Sequence, residues 1–439
     1  MAEAPAAKKG GLHYAWVIMI ACCFIQAGQL GIIMNCGGIF LQPVSSSIGC
    51  GRGDLAIYMT LQAWALALTM PLVGKWLPTK NINVLMTTAA VIDGCAFALM
   101  SQLTAPWMWW IDAIVIGCAS AFLFFAPVPM MIQNWFAKKK GLALGIATCF
   151  SGIGGAILSP ILSSLIASAG WHTAYIVGGV VSMVLTIPFT AFVIKFKPAD
   201  KGMLPYGAEE GVAQAANPAK KQDTTIERGI STQLGWKSGI IFIVFFIGGF
   251  MSLATSFTNH LPGLASSLGY ASAAIGLLAS CNMIGNMVGK LVLGPLSDKI
   301  GVKKSVAVGY VVVFVGLALV LLGGGNTFAL YLGAAFYGVG FSVATLFLPL
   351  IVAEIVGKRD YPKIYSYATS GNAFIGSLGI TICGFCFDFT GSYFGALAFI
   401  VVALIIAVLL IVAGYVRSKH VMPIADAEYE ELVGKQTAE

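Results

Sequence analysis

GPLSDKIGVKK, residues 294–304, is a knot of charge between two long apolar stretches, and its reading decides the fold. The stretch 220 residues earlier, GKWLPTKNINV (74–84), keeps the glycine but has Pro78 where Asp298 stands. Around both knots the chain is 58% hydrophobic and only 10% charged, with a mean hydropathy of +0.88. A soluble domain carries about 25% charged residues, so the composition places this chain in a membrane before any motif is read. Its 52 glycines suit helices that approach closely in lipid.

Apolar stretches long enough to cross about 30 Å of hydrocarbon run over 14–43, 54–77, 82–103, 106–135, 141–168 and 171–196. Six more run over 236–266, 271–297, 303–324, 327–356, 363–388 and 392–416. The expected fold is therefore an all-α membrane protein of twelve transmembrane helices in two six-helix bundles. Lysine and arginine collect on the cytoplasmic side of membrane proteins. With both termini in the cytoplasm, Arg52 alone of the 25 basic residues falls outside and Lys290 alone falls within the bilayer. The net charge of +7 is then the cytoplasmic face of a membrane protein and not a nucleic-acid footprint. Residues 1–13 are polar and precede an apolar run too long for a signal peptide. Nine of ten cysteines lie in apolar segments, and Cys383 and Cys386 sit in one of them without the βαβ setting of a redox motif. They read as packing residues.

The expected domains are residues 1–196, a polar cytoplasmic linker at 197–235, residues 236–416 and a cytoplasmic tail at 417–439. Gly74 and Gly294, and Lys138-Lys139 and Lys358-Arg359, keep the same spacing of 220 residues. Two related bundles around a central path are a transporter plan, with binding at the midplane between them. No G-x-x-x-x-G-K-[S/T] loop is present, so nucleotide drive is not expected. Neither a nucleophile–base pair nor a metal-spaced cluster falls on one face, so no enzyme, metal or cofactor is expected.

The stretch at 294–304 resembles the signature loop of the major facilitator superfamily. Further stretches narrow the likeness: GGIFLQPVSSSIG (37–49), NWFAKKKGLALGIA (134–147) with SGIGG (151–155), NHLP (259–262) and GFCFDFTGSY (384–393). Together they resemble the monocarboxylate transporter group and its bacterial oxalate:formate antiporter relatives over residues 14–416. The resemblance implies a secondary transporter for a small organic anion in a bacterial cytoplasmic (inner) membrane, monomeric, with a proton or a second anion as its partner.

Lys290 is the expected anion-binding residue. Asn282, Asn286 and Lys290 stand at i, i+4 and i+8 on one helix face, and a helical side chain leans towards its own N-terminus. Lys290 then points back to the bilayer centre, where an ionisable group marks a substrate or ion path. The competing expectation is a structural pair of Lys290 with Asp93 or Glu354. Family members carry an arginine here, four residues before a glycine and eight before an acid or amide; Gly294 and Asp298 keep those distances. Lysine offers a point charge where arginine offers a planar fork. Asn286 stands where animal monocarboxylate transporters have an aspartate tied to proton coupling, and Asn35 where they have a lysine. Thr369 to Gly371 lack the second lysine expected for oxalate, so one negative charge on the substrate is favoured over two. The resemblance adds Gln62, Phe125, Phe341 and Thr345 as pocket residues.

Asn259 and His260 are a further substrate or proton contact, since histidine titrates in a useful range. Gly294, Asp298, Lys299, Gly301, Lys303 and Lys304 form the expected cytoplasmic gate, in which Asp298 caps a helix N-terminus or pairs with a base. Asp112 is expected near water at the outer end of its helix, and Asp93 within the bilayer takes a polar partner or a proton. The remaining alternatives are a dicarboxylate exchanger, a carrier of larger amphipathic carboxylates and, from another class, a membrane sensor that does not transport.

Overall fold

The computed structural model describes residues 13–50, 52–208, 227–268, 272–322 and 326–438. The polar leader at 1–12 and the middle of the linker, 209–226, lie outside them. The described chain is almost wholly helical. In the first half α1 (Tyr14–Ile25) passes into a π-helical stretch, Gln26–Met34, and then into α2 (Gly38–Ile48). There follow α3 (Arg52–Trp76), α4 (Ile82–Leu99), α5 (Pro106–Ala121), α6 (Pro127–Trp135) and α7 (Lys140–Pro188). The second half holds α8 (Thr232–Lys237), α9 (Ile240–Leu253), α10 (Leu261–Ser267), α11 (Ser272–Ile300), α12 (Val302–Leu322), α13 (Thr327–Val356), α14 (Tyr361–Thr390) and α15 (Phe394–Ala438).

Local chemistry sets these boundaries. Asn81 and Asn326 start α4 and α13 by accepting hydrogen bonds from the first free amides. Proline opens α5 and α6, where its missing N–H costs nothing. The long α7 is broken at Gly170, whose φ of 84° favours glycine, and Gly301, at φ 86°, turns the chain between α11 and α12.

Among the described residues nine helical stretches are long and apolar enough to cross a membrane, one of them the 54-residue Lys140–Val193. Leu68, Val184, Val311 and Leu409 are exposed, as lipid-facing residues are, while aromatic anchors such as Trp109, Trp135 and Tyr337 fill the interior. The halves of the chain meet chiefly along two seams, α3 against α14 and α7 against α11. Small residues make the approach possible. A Cβ on Gly145 would lie 2.6 Å from the carbonyl oxygen of Lys290, and one on Gly294 2.5 Å from that of Gly141. The other seam is closed by Ser370, whose hydroxyl donates to the Ala67 carbonyl (2.7 Å), and by the Trp64 indole N–H donating to Ser377 Oγ (3.1 Å).

The tail at 417–439 is helical through Ala438, continuing the last membrane helix without a break, and Val421 and Ala425 are buried. The expectation that Asp112 lies near water needs correction: it is only 7% exposed, on α5 one turn beyond the fully buried Trp109. Asp93 is fully buried and accepts a hydrogen bond from Ser120 Oγ (2.9 Å).

Both ends of the linker are fastened. Tyr206 donates its amide to the Trp135 carbonyl (2.8 Å) and accepts from Ala137 N (2.9 Å), just after α6. At the other end Ile230 N donates to the Val356 carbonyl (2.8 Å), and Lys358 N donates back to Arg228 (3.0 Å), just after α13.

Candidate functional site

Lys290 lies on the α7–α11 seam and is 3% exposed. Its Nζ donates to the carbonyl oxygen of Thr148, on the other half of the chain, at 3.2 Å. The Lys290 backbone faces Gly145, so the side chain reaches about one residue short of a turn farther along α7, away from the end bearing Asp298. That is the direction a helical side chain takes, towards its own N-terminus. An ammonium group has three donors, and the structure gives Nζ this one hydrogen bond. The Phe341 ring centroid lies 5.8 Å away, at the outer range of a cation–π contact.

Helix α7 extends this group towards α1 and α2. Ser151 Oγ donates to the same Thr148 carbonyl (2.8 Å), and Asn35 Nδ2 donates to the Ser151 carbonyl (3.1 Å). Asn35 and Lys290 thus hold two carbonyls one turn apart on a helix between them. Thr148 and Ser151 complete this arrangement, though sequence reasoning assigned neither a role. The quoted SGIGG stretch contained Ser151, but a small hydroxyl in an apolar helix more often satisfies its own backbone. On the far side Thr345 Oγ1 donates to the Phe341 carbonyl (2.9 Å), so these two expected residues are neighbours.

The other expected residues fall in several places. Asn286 is half-buried, with Oδ1 shielded from solvent and outside any hydrogen bond among the described residues. Asn282 does not share its surroundings: its amide donates to the Ala334 carbonyl of α13 (3.0 Å), inside the second half. Gln62 is 5% exposed, with its backbone against Gly117, and its Nε2 is unpaired. Phe125, at the break between α5 and α6, offers its carbonyl to the Tyr365 hydroxyl of α14 (3.2 Å). His260 is bonded to the Ile380 carbonyl (2.8 Å) and lies beside Phe257 and Tyr393; with the exposed Asn259 it forms a cluster separate from that of Lys290. The competing ion pair is not formed, because Asp93 takes Ser120 and Glu354 takes the Tyr415 hydroxyl (2.6 Å).

The gate residues divide similarly. Asp298 receives Gly141 N and Leu142 N, both at 2.9 Å, so its carboxylate caps the first turn of α7 across the seam. That position suits a negative charge, since the helix N-terminus carries free amides and a partial positive charge. Gly294 and Gly301 supply the close approach and the turn already described. Lys303 Nζ lies 4.1 Å over the Tyr415 ring of α15, while Lys299 and Lys304 are exposed. At the second loop, Asp360 Oδ2 accepts from Thr232 N (2.7 Å) and Thr232 Oγ1 (2.8 Å). Burial pushes the Asp360 carboxyl up, but these bonds and nearby Lys363 outweigh it and hold the group below its ordinary value. Among the described residues no group of three or more His, Cys, Asp or Glu is placed to hold a metal ion.

Known proteins resemble this chain in sequence. The model of the Major Facilitator Superfamily matches residues 23–263 and again 240–432. An MFS-type transporter of Escherichia coli K12, YhjX, is 22% identical over 356 residues, which cover 80% of this chain and 83% of that protein. Monocarboxylate transporter 12 of Mus musculus is 24% identical over 419 residues, 92% of this chain and 85% of the relative. The oxalate:formate antiporter of Oxalobacter formigenes is 24% identical over 390 residues, 85% and 86% of the two chains. With its apolar helices, its double match and these full-length likenesses, the chain belongs to the Major Facilitator Superfamily of membrane transporters.

Proposed function

We propose that the protein is a secondary active transporter that moves a small organic anion, most directly a monocarboxylate, by alternating access, through proton symport or anion exchange. The observation that carries this reading is Lys290: a cation buried on the seam between the halves, bonded to one backbone carbonyl and to no carboxylate among the described residues. A buried ammonium left without an opposite charge is costly. A substrate carboxylate would supply that charge, with the Asn286 amide as a second donor and Phe341, Thr345 and Asn35 as walls. The names of the mouse and Oxalobacter relatives point to the same chemical class.

In this reading the chain crosses a cytoplasmic membrane twelve times. Lys140–Val193 accounts for two crossings through its break at Gly170, and residues 106–135 and 272–300 add two beyond the nine stretches. Residues 1–196 and 236–416 form the moving halves, and the end bearing Asp298 and the lysines faces the cytoplasm. The Asp298 cap then closes the cytoplasmic side.

Uptake of labelled carboxylates into proteoliposomes tests the proposal. Wild-type protein should accumulate a monocarboxylate, and Lys290→Ala, checked for folding by circular dichroism, should lose at least 10-fold of that rate. Full activity in Lys290→Ala would overturn the site. A preference for oxalate over lactate or formate would favour the dicarboxylate reading, which the likeness to the oxalate:formate antiporter supports.

A further inference from the structure

The first-half loop that lacks an acid lines a cavity. Pro78, where Asp298 stands in the second half, belongs to the wall of a space of about 410 Å³ between the α3–α4 loop and the chain leaving α7. Three lysines enter this wall, Lys80, Lys195 and Lys197, against one acid, Asp200. Asp200 already accepts a hydrogen bond from the Lys197 amide (2.9 Å), and among the described residues Lys195 Nζ reaches only the neutral Asn83 Oδ1 (3.3 Å). Among the described residues the wall thus carries a surplus of two positive charges.

The wall is built rather than draped. Asn83 Nδ2 donates to the carbonyls of Thr190 (2.8 Å) and Ile194 (3.0 Å), which ties the start of α4 to the chain leaving α7. From the other side the Trp135 indole donates to the Lys195 carbonyl (2.8 Å) and Asn134 Nδ2 to the Phe196 carbonyl (3.0 Å). The backbone carrying the lysines is therefore fixed from both flanks.

Position completes the argument. The wall occupies the gaps between membrane spans, which end at Trp76 and Val193 and resume at Ile82. Its chain neighbours are exposed apolar residues, Val84 at 61% and Phe192 at 83%. Cations directly above an apolar surface match a lipid with an anionic headgroup, whose phosphate meets the lysines while its chains lie along the helices. We propose that Lys80, Lys195 and Lys197 form a binding site for the phosphate headgroup of an anionic phospholipid at this edge of the protein. A soluble phosphate ion offers the same charge without the chains, and the test separates the two.

The full-length protein in neutral detergent is titrated with phosphatidylglycerol, phosphatidylcholine and inorganic phosphate, with retained lipid counted by native mass spectrometry. Phosphatidylglycerol should be retained at least 5-fold more than phosphatidylcholine, and 10 mM inorganic phosphate should not displace it. Lys80→Gln/Lys195→Gln/Lys197→Gln should lower retention to the phosphatidylcholine level, and Lys195→Gln alone should lower it about 2-fold should the triple variant fail to fold. Lys237→Gln/Lys419→Gln, which removes charge elsewhere, should keep it. Equal retention by the triple variant, an equal loss in the Lys237/Lys419 variant, or displacement by inorganic phosphate would each overturn the lipid site.

Discussion

Asp298 holds Gly141: a carboxylate at the end of α11 caps the first amides of α7, on the other half of the chain, with two bonds of 2.9 Å. Charge-assisted bonds to a helix N-terminus are worth about 1.5–3 kcal/mol. In the proposed cycle they would break when the halves part at this end. Asp298→Asn keeps one acceptor oxygen and loses the charge. It should cut uptake at least 5-fold and lengthen the distance between spin labels at Ala137 and Lys304. Pro78→Ala, at the corresponding place in the first half, should leave uptake within 2-fold of wild type.

Gly145→Ala and Gly294→Ala place a methyl group against a carbonyl oxygen of the partner helix. The opposing atoms are backbone, so they yield only if the helices part. Overpacking of this kind costs about 1–3 kcal/mol. Both variants should populate the state open at the Asp298 end, read from the same label pair. Unchanged distances would show that the seam has slack.

Asn282 and Asn286 should respond differently to alanine. Asn282 is buried and bonded to Ala334, so its loss should lower stability by about 1–3 kcal/mol while leaving the apparent KM unchanged. Asn286→Ala should do the reverse, raising KM several-fold with little change in thermal unfolding. Measuring both quantities on both variants decides the assignment.

Asp360 gives stability a pH dependence of known sign. Its carboxyl is held below the unfolded value, so its contribution is present above about pH 4, the range of an unfolded aspartate. That contribution fades as pH falls through the lower folded value. Asp360→Ala should lower the unfolding temperature at pH 7, and the gap from wild type should narrow below pH 4. A gap that widens on acidification would contradict the assignment.

Much of the fold was legible because the length of the apolar stretches reports directly on helices able to cross a membrane. GPLSDKIGVKK was read as a helix cap or an ion pair, and the structure selects the cap. Asn282 was not legible in the same way. Positions i, i+4 and i+8 drift by about 40° per step at 3.6 residues per turn, so Asn282 and Lys290 differ by about 80°. One faces the interior of the second half and the other the seam. Thr148 contributes through its carbonyl, a group every residue has, and no sequence pattern marks it. The polar composition of the tail marked no helix, though two positions four residues apart, Val421 and Ala425, turn inward.

The fastening of the linker has a mechanical consequence. Tyr206 is tied to the loop after α6 and Ile230 to the chain after α13, so each end of the connection is anchored within its own half. In the proposed alternating-access motion, each anchor would travel with the half that holds it. A pull along the connection would then reach the halves at those two anchor points rather than at the ends of α7 and α9.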